Sequence, residues 1–174
     1  MLMSPRTRGR ALERARASSV YPPASWLTDP PAGYASLRVS TDIPGVALAE
    51  AGAALLGWDL HRAAGLRVVA AGPARTGDTV VVGVPLGPLA WAAPCRVLDV
   101  IDEPNQVGFT YATLRGHPEH GVERFTMTTT SGRLTCVVEA VSRPSPALAR
   151  AVPVVADAAQ RFVTRRYLAA ARAL

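Results

Sequence analysis

No lysine occurs anywhere in the 174 residues; the nineteen basic side chains are all arginine, set against thirteen acidic ones for a formal charge of +6. That absence excludes a Schiff base on a side-chain amine and the lysine of a phosphate-binding P-loop. Cysteine is almost as scarce. Cys95 and Cys136 stand far apart in apolar, strand-like runs with no CxxC, which reads as two buried free thiols of a cytoplasmic protein and gives zinc or redox motifs no support. Asn105 is the only asparagine, which limits amide-built oxyanion holes. No apolar run reaches the roughly 18 residues a membrane span needs, and no apolar segment follows the basic N-terminus, so a secretory signal is not expected. A nucleophile elbow, a glycine-rich phosphate loop and a dinucleotide fingerprint are all missing, which leaves hydrolase, kinase and dehydrogenase readings weak.

Hydrophobic residues make up 49% of the chain and charged residues 18%, a globular balance over a length that suits one domain. The all-arginine usage, with abundant Ala, Gly and Pro, fits a GC-rich bacterial genome. Residues 1–33 read as a basic, Pro-rich N-terminal arm: Arg6, Arg8, Arg10, Arg14 and Arg16 fall in a flexible or frayed helical stretch, and Pro22, Pro23, Pro30 and Pro31 mark a linker. The arm has no interleaved aromatics and no nucleic-acid reading module.

The folded part is expected over 34–174. Residues 34–41 read as a strand, and Pro44 opens a helix to about Leu56 with Leu48, Ala51 and Leu55 on its apolar face. A strand follows near 66–70. From Asp78 the period becomes two, giving strands at 78–86, 89–101, 106–114, 122–130 and 133–142. Pro94 suggests a bulge or an edge, Gly116 to Gly121 a longer loop, and Ser131-Gly132 a two-residue hairpin turn. From about Ser145 the pattern is helical, with Val155, Ala159, Phe162, Val163, Tyr167 and Ala170 in one stripe and a kink or restart at Pro153. A meander with one apolar face needs a cover, and the terminal helix is the only large element to supply it. The expectation is therefore an α+β helix-grip, START-like fold: a curved seven-stranded antiparallel sheet wrapped round a long C-terminal helix, with a ligand cavity between them.

Two segments carry a recognisable pattern. One runs Gly108-Phe-Thr-Tyr-Ala-Thr-Leu-Arg-Gly-His-Pro-Glu-His-Gly-Val-Glu-Arg-Phe125; the other runs from Ser142-Arg-Pro-Ser to Gln160-Arg-Phe-Val-Thr-Arg-Arg-Tyr167. Both resemble the DUF1990 (UPF0548) family, and the resemblance extends over most of 34–174. The chain departs from it where family members read Tyr-Gly-Thr and this one has Tyr111-Ala112-Thr113, and where they read Gly-Glu-Glu and this one has Gly121-Val122-Glu123. The alanine is expected to narrow the space above its strand, and Val122 to remove a carboxylate from any acid–base role there. The fold implied by the resemblance is similar to that of polyketide cyclases and aromatases.

His117, Glu119, His120 and Glu123 form the densest polar cluster. It suits proton transfer or ligand hydrogen bonding, or else a glycine-bounded turn that satisfies its own backbone; no metal is expected. A deaminase-type His-x-Glu reading lacks its PCxxC partner. Tyr111 and Glu123 fall on neighbouring strands and would meet a ligand carbonyl or hydroxyl if both point inward. The catalytic candidates are Tyr111, His117 and Glu123. The ligand-lining candidates are Trp58 and Trp91 at the mouth, Arg96, which with Arg143 flanks the strands as a carboxylate or phosphate clamp, Glu119, and the apolar Phe109, Phe125, Met127 and Phe162. Core packing or surface solvation is the competing reading for each.

The expectation is a cofactor-independent cyclase that folds a polyketide- or polyene-like intermediate so that its reacting ends meet, cycloaddition included. A non-catalytic carrier of a hydrophobic ligand is the alternative, and a partner-binding protein using the arm or the terminal helix is a third. The partner expected is a small hydrophobic ligand or substrate, with no nucleic acid and no membrane; a homodimer is compatible with the sequence.

Overall fold

Beyond Asp78 a period of two with short polar turns leaves each strand no nearer partner than its successor, so the chain folds as consecutive antiparallel hairpins. A computed structural model describes residues 2–3, 7–19, 21–86, 89–145 and 155–174, apart from the side chains of 2, 3, 8, 86 and 155–162. The elements are β1 (Leu2–Met3), α1 (Arg8–Arg16), β2 (Ala35–Asp42), α2 (Leu48–Leu56), α3 (Asp59–Ala63), β3 (Arg67–Val69), β4 (Thr79–Leu86), β5 (Leu89–Glu103), β6 (Gln106–Thr113), β7 (Glu119–Thr130), β8 (Arg133–Pro144) and α4 (Val155–Ala171). A 3-10 turn spans Ala24–Leu27. Seven strands run in the order β2-β8-β7-β6-β5-β4-β3, all antiparallel, and β1 adds a short pairing to β5. This is the α+β helix-grip arrangement expected from the sequence. None of the described helices is long and apolar enough to cross a membrane.

Several boundaries differ from the sequence reading, each for a local reason. The helix expected at Pro44 starts at Leu48, because Gly45 sits at φ 77 and cannot enter a right-handed turn. Pro94 lies inside a central strand, not at an edge, and its pairing with Val81 is in register. Its carbonyl accepts the Leu114 N–H at 2.9 Å, just past the end of β6. The missing proline donor points the same way, to where that ladder has already stopped. The bulge in β5 falls at Leu98, between Val97 and Asp99. The loop expected to run to Gly121 ends three residues earlier, since Glu119, His120 and Gly121 pair with Pro144, Arg143 and Ser142. Ser131 and Gly132, at φ 50 and 77, make the tight turn foreseen between β7 and β8.

The inner face of the sheet carries Val80 and Val82 of β4, Cys95 and Val97 of β5, Phe109 and Tyr111 of β6, Phe125 and Met127 of β7, and Cys136 and Val138 of β8. Over it lie Leu55, Trp58, Leu60 and His61 from α2, α3 and their junction, and Tyr167, Ala170 and Ala171 from α4. The aromatic rings interlock, Trp58 against Phe109 at 4.8 Å and Phe125 against Tyr167 at 4.9 Å between centroids. Such pairs add roughly 0.5–1.5 kcal/mol each beyond their buried area. The kink expected at Pro153 lies outside the described residues.

On the opposite face α1 buries Ala11, Leu12 and Ala15 against Val81, Ala92 and Leu114. Arg96 fixes the end of this helix by donating to the carbonyls of Arg16 and Ser18, both at 3.2 Å, and of Gly77 at 2.7 Å. Ala112 and Val122, the two departures from the family pattern, are directly opposed across β6 and β7 on this face. They pack with Val141 against Trp26, Leu27 and Tyr34. The methyl group of Ala112 therefore occupies space above its strand on this face, beneath Trp26, Leu27 and Tyr34, and not on the inner one.

Candidate functional site

The register of β6 on β7 sets Tyr111 directly opposite Glu123, with Phe109 opposite Phe125 one step further along the same face. Side chains at such paired positions touch. The Tyr111 hydroxyl donates to Glu123 Oε2 at 2.6 Å. Tyr167 descends from α4 and lines the same cavity as Tyr111 and Glu123. Where β7 begins, Ser142 Oγ donates to Glu119 Oε2 at 2.9 Å, and the Glu119 N–H donates to His117 Nδ1 at 2.9 Å. The same Nδ1 lies 3.0 Å from the Glu119 carbonyl, so the Glu119 backbone holds this ring nitrogen from both its amide and its carbonyl.

These groups surround a cavity of about 150 Å³ whose other walls include Leu66, Val82, Val84, Ala93 and Val163. Its lining is mostly apolar, with carboxyl and hydroxyl groups contributed by β6, β7, β8 and α4. That combination governs the titration. Burial pushes the Glu123 carboxyl up to about 7, against the Tyr111 hydrogen bond that lowers it and with help from Glu119. Burial, and then Glu123, also raises the Tyr111 and Tyr167 hydroxyls well above their ordinary value. Burial lowers His117 to about 4, so it is neutral at pH 7. A carboxyl that titrates near neutrality, in hydrogen bond with a phenol and inside an apolar cavity, can give up or take a proton without help from water.

The structure brings Tyr111, His117, Glu119 and Glu123 together around this one cavity. The other ligand-lining candidates lie elsewhere. Trp58 is buried in the core, at φ 69, with its Nε1 donating to the Gly72 carbonyl at 3.0 Å. Phe109, Phe125 and Met127 are fully buried beneath the cavity and do not line it. Trp91 sits on β5 opposite Val84, beside that wall of the cavity but not among its lining residues. Arg96 lies away from the cavity lining and donates to the carbonyls of Gly77 and of the end of α1. The Phe162 side chain lies outside the described residues. Sequence reasoning passed over Ser142, Thr164 and Tyr167, which line the cavity, and His61, which is fully buried beneath it. The signal for Tyr167 was a hydroxyl inside an otherwise apolar helical stripe. Among the described residues no group of three or more His, Cys, Asp or Glu side chains is placed to hold a metal ion.

Gly121 lets β7 and β8 close at the cavity wall. A Cβ there would meet the Val141 carbonyl at 2.0 Å and Ser142 Cα at 2.6 Å, and neither backbone atom can step aside. Gly121→Ala is expected to destabilise the protein by about 1–3 kcal/mol. Gly72→Ala, whose Cβ would meet nothing within 4 Å, is expected to be near neutral. Urea midpoints compare the two, and equal midpoints would remove the packing argument.

Residues 20–170 match the family described as "Domain of unknown function (DUF1990)", and the chain belongs to that family. No curated protein matches it. Among solved structures it is similar to hypothetical protein jhp0584 from Helicobacter pylori, with TM-score 0.63 and 10% identity over 89% of this chain and 95% of that one. Protein CV1439 from Chromobacterium violaceum gives TM-score 0.55 and 14% identity over 79% and 94%. Ara h 8.0201, a Bet v 1-like helix-grip protein, gives 0.50 and 11% over 82% and 100%. At such identities the likeness establishes the fold alone.

Proposed function

We propose that this DUF1990 member is a small-molecule cavity protein and a cofactor-independent cyclase, closing a ring in a polyketide-like intermediate by proton transfer through Glu123 and Tyr111. The observation that carries the reading is the carboxyl–phenol pair, 2.6 Å apart, in a mostly apolar cavity. The ionised Glu123 takes a proton from a carbon next to a substrate carbonyl. The resulting enolate carbon attacks a second carbonyl of the same molecule, forming the ring bond. Glu123 then returns its proton to the new alkoxide, so nothing enters or leaves. While Glu123 holds the proton its pull on the Tyr111 hydroxyl weakens, and that O–H turns to the enolate oxygen. His117, neutral and held through Nδ1 by the Glu119 backbone, lines the cavity beside the pair. A concerted cycloaddition of a polyene would use only the apolar walls and the orientation they impose.

The second reading is a carrier, and the cavity's size favours it. About 150 Å³ holds a ligand of roughly benzene size, less than a folded polyketide chain. The cyclase reading answers this by placing only the reacting end inside. Native mass spectrometry of the purified protein, with extraction of what it retains, separates the two. A cyclase is expected to convert the retained compound, or a carbonyl-rich analogue, to an isomer of equal mass. A compound held and returned unchanged would establish the carrier. An empty protein that no polyketide-, polyene- or lipid-like compound stabilises against heat would overturn both.

A further inference from the structure

Beside the mouth of the cavity runs an open groove of about 1000 Å³, and Thr113 and His117 line both. The groove is cationic: Arg14, Arg115 and Arg143 line it, and no carboxylate appears among its described lining residues. We propose that it receives an oxyanion, phosphate or carboxylate, borne on the same molecule whose apolar end fills the cavity. The inference rests on the cavity reading above for the apolar end and goes beyond it in naming the other end.

Three features support the assignment. The first is continuity, since a ligand passing His117 leaves the apolar walls and enters the field of the arginines directly. The second is preorganisation. The Arg143 guanidinium lies 4.7 Å over the Tyr34 ring, and the Tyr34 hydroxyl is held by His120 Nδ1 at 2.6 Å. His120 is in turn paired with Arg143 across β7 and β8. A guanidinium fixed on an aromatic face keeps its fork ready for a planar or tetrahedral oxyanion. The third is the placement of Arg14. It reaches the groove only because α1 packs on the sheet and Arg96 anchors its last carbonyls. Positive charges gathered on one groove repel each other, and an anion relieves that repulsion. The same field shows in His120, whose pKa is lowered by burial and by Arg143.

Calorimetric titration of the full chain with hexyl phosphate, hexanoate, hexanol and inorganic phosphate tests the inference. Hexyl phosphate, hexanoate or both are expected to bind about tenfold or more tightly than hexanol, with the gap shrinking as salt rises. The ranking of hexyl phosphate against hexanoate identifies which oxyanion the groove prefers. Arg115→Gln and Arg143→Gln remove exposed side chains. They are expected to narrow the gap several-fold while leaving hexanol affinity unchanged, and Arg115→Gln, which gives up no stacking contact on Tyr34, should leave the unfolding midpoint unchanged as well. Hexanol reports the cavity alone, and its failure to bind would count against the cavity reading. Both anions binding no better than hexanol, or a gap that persists in both arginine variants, would overturn the groove. Inorganic phosphate binding as tightly as hexyl phosphate would overturn the tether.

Discussion

His61→Phe is expected to stabilise the protein, and most of all in acid. The imidazole of His61 is fully buried, and neither ring nitrogen has a hydrogen-bond partner among the described residues. Its neighbours are aromatic: Phe125 at 4.8 Å, Tyr167 at 5.0 Å, Trp58 at 5.3 Å and Phe109 at 5.9 Å between centroids. An unpaired polar group in such a place costs about 1–3 kcal/mol. Burial, aided by Arg62, lowers its pKa from 6.5 to about 3. The unfolded chain therefore takes up the His61 proton first as pH falls below 6.5, and the native state loses stability over that range. The loss is about 1.4 kcal/mol per pH unit while only the unfolded state is protonated. His117, lowered to about 4, adds a second proton of the same sign. Glu123, raised to about 7, acts the other way: its contribution is full below about 4.5 and is lost as pH rises through 7. Considering these three groups alone, stability peaks near pH 6.5, falls on the acid side with a net slope of about one proton, and declines again through pH 7. Phenylalanine removes one of the two histidine protons and should flatten the limb between pH 4.5 and 6.5. Urea unfolding at pH 5.0 and 6.5 measures this, and an unchanged difference between those pH values would show that His61 does not govern the acid limb.

Much of this arrangement was legible in the sequence because it is periodic. The alternation Val107, Phe109, Tyr111, Thr113 fixes one face of β6, and Phe125 and Met127 share a face of β7, so the Tyr111–Glu123 encounter needed only the register. The short turn at Ser131-Gly132 supplied the next register, β7 on β8. What stayed hidden depends on long-range packing. Whether an inward aromatic lines a cavity or lies beneath it is decided by how deeply the helices sit, and Phe109 and Phe125 went to the floor because Trp58, His61 and Tyr167 cover them. His61 follows Asp59 and Leu60 in a short helix whose orientation no local pattern declares. The basic N-terminal stretch read as an arm because arginines dominate it. Only Ala11, Leu12 and Ala15, small and easily missed among the charges, reveal the face that docks.

Glu123→Gln is expected to cost the cyclase a factor of about 10²–10⁴ in turnover while leaving ligand retention close to that of the wild type. Glutamine keeps the shape of the side chain and can still accept the Tyr111 hydrogen bond, but it cannot carry the proton between carbon and oxygen. For the wild type, a step that begins with ionised Glu123 speeds up as pH rises through about 7 and then levels off. Tyr111→Phe sharpens the test because its sign is set. The Tyr111 hydrogen bond holds the Glu123 pKa down against burial. Without it burial acts unopposed by that partner, and the rising limb should move to higher pH. A merely structural tyrosine would lower the whole profile without moving its midpoint. A pH–rate profile of the wild type and both variants therefore distinguishes three situations. A lost rate in Glu123→Gln with a shifted limb in Tyr111→Phe establishes the proton-transfer pair. Equal rates in all three, at every pH, would leave orientation by the apolar walls as the source of catalysis, as a concerted cycloaddition requires. Retained ligand with no conversion by any of the three would make the pair a binding element of a carrier, holding a ligand oxygen in an otherwise apolar cavity.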